Sequence, residues 1–147
     1  MEQTEYKILI KSLKPKSKAL RNIINAFLCG GIIALIGQMF FDIYQYLLPS
    51  YETSKISSLM IITIILIASI LTGISIFDKI ATYAGAGSFI PITGFSNALT
   101  SCALEGRSEG PIFGIGSNMF KLAGSVIVYG VFSSFFINLF RFIVRLF

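Results

Sequence analysis

The sequence predicts an all-α, polytopic integral membrane protein of about four hydrophobic segments, one of them a broken or re-entrant helix pair. Three observations carry that prediction. Residues 23–41 and 57–77 are uncharged apolar runs, and another apolar stretch closes the chain after Pro111. The composition is 54% hydrophobic and 13% charged, with a mean hydropathy of +0.80, too apolar for one soluble core of 147 residues. Between the second and last runs, residues 80–104 carry no charge yet are full of Gly, Ser, Thr and Asn.

Residues 57–77 hold thirteen Leu, Ile, Met or Phe. At roughly −0.5 kcal/mol each, they favour insertion by about 6 kcal/mol before the Ser and Thr residues are subtracted. About twenty such residues span a hydrocarbon layer of about 30 Å. Six basic residues, Lys7, Lys11, Lys14, Lys16, Lys18 and Arg21, precede the first span against Glu2 and Glu5, whereas the following loop carries only Glu52 and Lys55. The positive-inside rule therefore predicts a cytoplasmic N-terminus and an outward loop. Residues 1–22 read as a basic cytoplasmic arm and residues 23–147 as a single helical membrane domain. The arm suits anionic lipid better than nucleic acid, and no nucleic-acid partner is expected. Ser17 and Asn22 are candidate caps for the first helix.

With no histidine in the chain, most triad and zinc chemistries lack their usual base or ligand. No catalytic residue, cofactor or metal site is expected, and the chain does not read as an enzyme. Cys29 and Cys102 are expected as reduced, buried small hydrophobes. Glu105 and Glu109 offer too few oxygens for calcium, which takes six to eight.

In the first span, Gly30, Ala34 and Gly37 form a small-residue stripe for close helix approach. Gln38 and Asp42 form a polar membrane face, either a solvated helix end or the wall of a water-filled path. Ala68 with Thr72, and Ser69 with Gly73, repeat the small-residue spacing in the second span.

The run Ala84-Gly85-Ala86-Gly87-Ser88-Phe89-Ile90-Pro91-Ile92-Thr93-Gly94-Phe95-Ser96-Asn97 is too neutral for a loop and too broken for one spanning helix. Irregular backbone at bilayer depth survives only where protein or trapped water satisfies it. Two half-helices meeting at a break over residues 87–91, with their N-termini pointing inward, fit that demand; a surface loop or a ligand-free packing segment are the alternatives. On this reading Gly85, Gly87, Ser88, Pro91, Thr93, Gly94 and Asn97 line a solute path. Pro111 suits a helix start. Beyond it, Ser117, Lys121 and Ser125 share a face beside Asn118. Lys121 either snorkels or offers charge to a passing anion, with Asp42 or Asp78 as resting partner. Arg141 and Arg145 anchor the far end. Full crossing by residues 80–104 returns that end to the cytoplasm, as the charges favour; re-entry leaves it outside.

The motifs Phe77-Asp78-Lys79-Ile80, Ala84-Gly85-Ala86-Gly87-Ser88 and Pro91-x-Thr93-Gly94-Phe95-x-Asn97 resemble the SpoVA group of stage V sporulation membrane proteins. So do Ala103-Leu104-Glu105-x-x-x-Glu109-Gly110 and Asn118-Met119-Phe120-Lys121-x-Ala123-Gly124. The likeness is nearest the AC type, with the E type sharing much of the pattern, and extends from about Leu13 onward. The C-terminal end is shorter and less charged than in that pattern. The resemblance implies location in the inner membrane of the forespore and spore, and a tension-responsive channel component moving dipicolinic acid, as its calcium chelate, in sporulation and germination. It also implies partners: other SpoVA-group proteins in a homo- or hetero-oligomer, and the lipid bilayer. A non-conducting scaffold subunit of a multi-protein transport complex is the alternative function.

Overall fold

The computed structural model describes residues 18–146. The basic arm up to residue 17, and with it the candidate cap Ser17, lies outside the described residues. Helices account for nearly all of the rest, and there is no strand among the described residues.

Helix α1, Ala19–Leu47, has 29 residues and is about 43 Å long. It begins upstream of Asn22, whose amide donates to the Lys18 carbonyl at 3.0 Å, so Asn22 is a helical residue and no cap. A tight turn through Pro49 leads into α2, Thr53–Gly73, with 21 residues and about 31 Å, one bilayer thickness. The two helices pack as antiparallel neighbours. Gly37 is buried opposite the Met60 sulfur, and Tyr44 shares a 2.7 Å hydrogen bond with Thr63.

The chain leaves α2 through Ser75, held at φ 60°, and Phe77 opens the eight-residue α3, Phe77–Ala84. A single turn, α4, Ala86–Phe89, precedes the 14-residue α5, Ile92–Glu105. At about 21 Å, α5 is too short to cross a bilayer. The breaks fall on either side of α4. Gly85, at φ 52°, adopts a backbone that only glycine takes freely. At the other break Pro91 has no N–H to donate back into α4, and it stands in extended conformation before α5. The expected single break over residues 87–91 is thus two breaks, and Gly87 lies in the helical turn between them.

After α4 the chain doubles back. Gly94 packs against the Phe89 main chain, and Asn97 shares a cavity wall with Phe77 and Ala81 at the start of α3. Asn97 is also hydrogen-bonded to Thr72 in the last turn of α2. The pair α3–α5 is therefore a hairpin, and only α5 brings an N-terminus to the break, not both half-helices.

Gly106–Glu109 then form a 3₁₀ turn and Pro111–Gly116 a π-helical turn, in which Ile115 N–H donates to the Gly110 carbonyl at 3.0 Å. Gly106 and Gly114 touch main chain to main chain. Pro111 starts this turn rather than a regular α-helix; α6, Ser117–Leu146, follows with 30 residues, none buried. Three helical stretches, Ala19–Leu47, Thr53–Gly73 and Pro111–Leu146, are long and apolar enough to cross a membrane.

Candidate functional site

The densest polar packing joins α2 to α5. The Ser96 hydroxyl donates to the Ile65 carbonyl at 2.9 Å and lies 2.9 Å from Ser69 Oγ. Thr72 Oγ1 stands 2.8 Å from both the Ala68 carbonyl and Asn97 Oδ1. Thr93 donates to the Ser88 carbonyl, and Ser88 to the Gly85 carbonyl, each at 3.2 Å. Ser88 is completely buried. Among the described residues no buried side-chain nitrogen or oxygen lacks a partner. In lipid this matters, because the hydrocarbon offers no substitute bond. Small side chains on both helices bring the hydroxyls within reach of one another.

Each residue assigned to the solute path has a definite place. Gly85, Ser88, Gly94 and Asn97 line an open cavity of about 420 Å³ together with Phe77, Ala81, Ala86 and Phe89. Gly87 is packed against the α1 main chain at Ala26, with Gly30 beside it. Pro91 borders a separate groove along α1 with Gly30 and Ala34, and Thr93 faces an apolar crevice between α1 and α2. Asn118 and Lys121 meet elsewhere, in a groove of about 360 Å³ shared with Cys102, Glu105 and Leu122. The two clusters have no lining residue in common, but α5 borders both.

Lys121 is exposed, and the acid beside it is Glu105 rather than Asp42 or Asp78. Asp42 instead accepts a 2.7 Å hydrogen bond from Gln38 on the outer face of α1. Glu105 and Glu109 do not share a helix face, since α5 ends between them. No group of acidic or cysteine side chains suited to a metal occurs among the described residues. Cys29 and Cys102 are both free and half-buried. Ser117, Lys121 and Ser125 follow one another at one-turn spacing in the regular helix α6, and the Ser125 hydroxyl donates to the Leu122 carbonyl at 2.7 Å.

Sequence reasoning passed over Ser69, Thr72 and Ser96 as bonding groups. Their small-residue spacing marked a contact, but only the fold reveals that their hydroxyls meet.

Long apolar helices packed with a hydrogen-bonded, interrupted hairpin define a polytopic helical membrane protein whose irregular segment is seated against α1. Residues 22–140 match the family model described as SpoVAC/SpoVAEB sporulation membrane protein, and the chain belongs to that family. It is similar to Stage V sporulation protein AC of Bacillus subtilis (strain 168), 43% identical over 137 residues, covering 93% of this chain and 91% of that protein. No solved structure matches the chain.

Proposed function

We propose that this sporulation membrane protein is a subunit of a channel, opened by membrane tension, that moves dipicolinic acid as its calcium chelate across the inner spore membrane. The observation that carries the proposal is the broken hairpin with a partly polar cavity at its heart. Gly85, Ser88, Gly94 and Asn97 line it together. The N-terminal end of α5 adds partial positive charge near the break. Dipicolinate is a flat dianion, so amide donors and a positive helix end suit it. Lys121, in its own groove at the C-terminal end of α5, supplies a full charge toward the same solute. The path is thus proposed to run along α5, from Gly85, Gly87, Ser88, Pro91, Thr93, Gly94 and Asn97 to Asn118 and Lys121. One chain cannot enclose such a path, since α6 buries nothing; other copies or SpoVA-group partners complete it.

A scaffold role is favoured by one specific observation: Gly87, Ser88, Thr93 and Gly94 are buried packing residues. Purified protein in liposomes loaded with calcium dipicolinate decides between the readings. Hypo-osmotic stretch is expected to release the solute, and release slows in Asn97→Leu and Lys121→Glu proteins that retain their helicity. No release from the chain alone, but release on adding family partners regardless of these substitutions, would make it a scaffold.

A further inference from the structure

A furrow runs along α1 from its first turn, and its two ends differ in chemistry. Asn22 of α1, with Thr82 and Tyr83 of α3, lines an open cavity of about 370 Å³. Ala26 and Ala86 border this cavity and also a second, of about 490 Å³, that continues past Gly30 and Gly31 to Ala34. Ile90 and Pro91 flank the deeper part, whose lining residues are all apolar or glycine. The furrow exists because this face of α1 carries small residues. Gly31 has nothing within 4 Å of where a side chain would stand, and Ala34 is exposed.

Length and charge point to one occupant. Helix α1 rises about 18 Å from Asn22 to Ala34, close to half of a hydrocarbon layer about 30 Å thick. The cations gather at the polar end. Lys18 lies one turn before Asn22 on the same helix face, and its side chain makes no cap bond. Arg21 is exposed in the same turn. Asp78 and Lys79 on α3 offset each other, and the first turn of α1 holds no acid. Lys18 and Arg21 are therefore surplus positive charge, to which the start of a 29-residue helix adds its own.

We propose that the furrow binds an anionic phospholipid, with its headgroup at Lys18, Asn22 and Tyr83 and one acyl chain laid along Gly30, Gly31 and Ala34. A neutral headgroup leaves the surplus charge unanswered, and a water-soluble anion leaves the apolar length empty. The chain lies beside the contact of Gly87 with Ala26, so it braces α4 on α1. The site stands whatever solute the protein moves.

The chain has no tryptophan, so a single introduced one reports on its surroundings alone. Ile90→Trp places the reporter in the furrow, and Phe132→Trp places it on the exposed surface of α6. Each full-length protein is reconstituted in phosphatidylcholine vesicles in which either phosphatidylglycerol or phosphatidylcholine carries brominated, fluorescence-quenching acyl chains. At residue 90 phosphatidylglycerol should be preferred by about fivefold for each cation engaged, with no such preference at residue 132. Lys18→Gln with Arg21→Gln should remove the preference, and Lys18→Arg should keep it. Gly31→Phe, filling the furrow, should reduce quenching by both lipids at residue 90 alone, with helicity by circular dichroism unchanged. Equal preference at the two reporters, or a preference that survives loss of both cations, identifies ordinary boundary lipid and overturns the proposal. So does a reporter at residue 90 that neither lipid quenches while residue 132 is quenched, because a protein helix then fills the furrow.

Discussion

Gly87→Ala is the substitution that most directly tests how the broken hairpin is seated. A Cβ at residue 87 would fall on the α1 main chain: it would overlap the Ala26 carbonyl oxygen and stand 2.9 Å from both the carbonyl carbon and Cα of Ala26. Neither atom belongs to a side chain that can rotate away, so α4 must lift off α1 or the helix must bend. Overpacking a tight contact costs typically 1–3 kcal/mol, and a contact against rigid main chain belongs at the upper end. About 3 kcal/mol is roughly a hundredfold in the unfolding equilibrium, at 1.4 kcal/mol per tenfold. Gly31→Ala is the control, because an added Cβ there meets nothing within 4 Å, and replacing glycine within a helix is mildly favourable. The assay is SDS-driven unfolding of the purified full chain in micelles, followed by circular dichroism. Ala26→Gly must fail to rescue, since the obstruction is backbone. Equal stability of the two alanine proteins, or rescue by Ala26→Gly, would refute the close α1–α4 contact.

Further outcomes follow from the bonds and grooves. Thr72→Val and Asn97→Leu should each destabilise, with a coupling energy of about 0.6–1.7 kcal/mol in a double-mutant cycle, the range for hydrogen bonds between membrane helices; zero coupling would mean that the pair is not formed in lipid. Cys102, in the groove with Glu105, Asn118 and Lys121, should react with a charged thiol reagent, whereas Cys29, in the crevice lined by isoleucines, should stay unlabelled until detergent is added. Mass spectrometry of intact vesicles reads both sites at once.

The spanning helices were legible because an uncharged run of about twenty residues admits few other structures in or out of a membrane. The interruption was legible too, since Gly85 through Pro91 contradicts any continuous helix. Its exact hinges were not. Glycine serves equally for a positive φ, as at Gly85, and for close approach, as at Gly87, and the sequence does not say which. The same ambiguity runs through the residues assigned to the path. Gly94 and Thr93 were read as walls of a wet route, yet Gly94 meets the Phe89 main chain and Thr93 bonds the Ser88 carbonyl. The neighbour of Lys121 was out of reach for a different reason. Glu105 meets that groove through a 3₁₀ turn followed by a π turn, and no periodicity rule projects across two changes of helical repeat. The reversal of α5 needed Asn97 and Thr72 to be seen together, 25 positions apart.

The unequal anchoring of the hairpin bears on where any opening motion would start. Helix α5 is fastened to α2 through Ser69, Thr72, Ser96 and Asn97, so sliding it costs several hydrogen bonds that lipid does not replace. Helix α3 has no such side-chain ties: Thr82 bonds only its own helix, and Asp78, Lys79 and Tyr83 are exposed. It joins its neighbours through two left-handed joints, Ser75 and Gly85. Segments with few buried contacts open at lower free energy than the elements they flank. Movement of α3 and α4 away from a fixed α5 would widen the cavity around Ser88 and Asn97 without breaking the α2–α5 seam. Bonds within the seam should therefore govern stability, and the two joints should govern opening. Locking Gly85 by substitution is expected to leave the unfolding midpoint nearly unchanged relative to Thr72→Val while altering the stretch needed for release. Parallel loss of both properties would show that the hairpin moves as one piece.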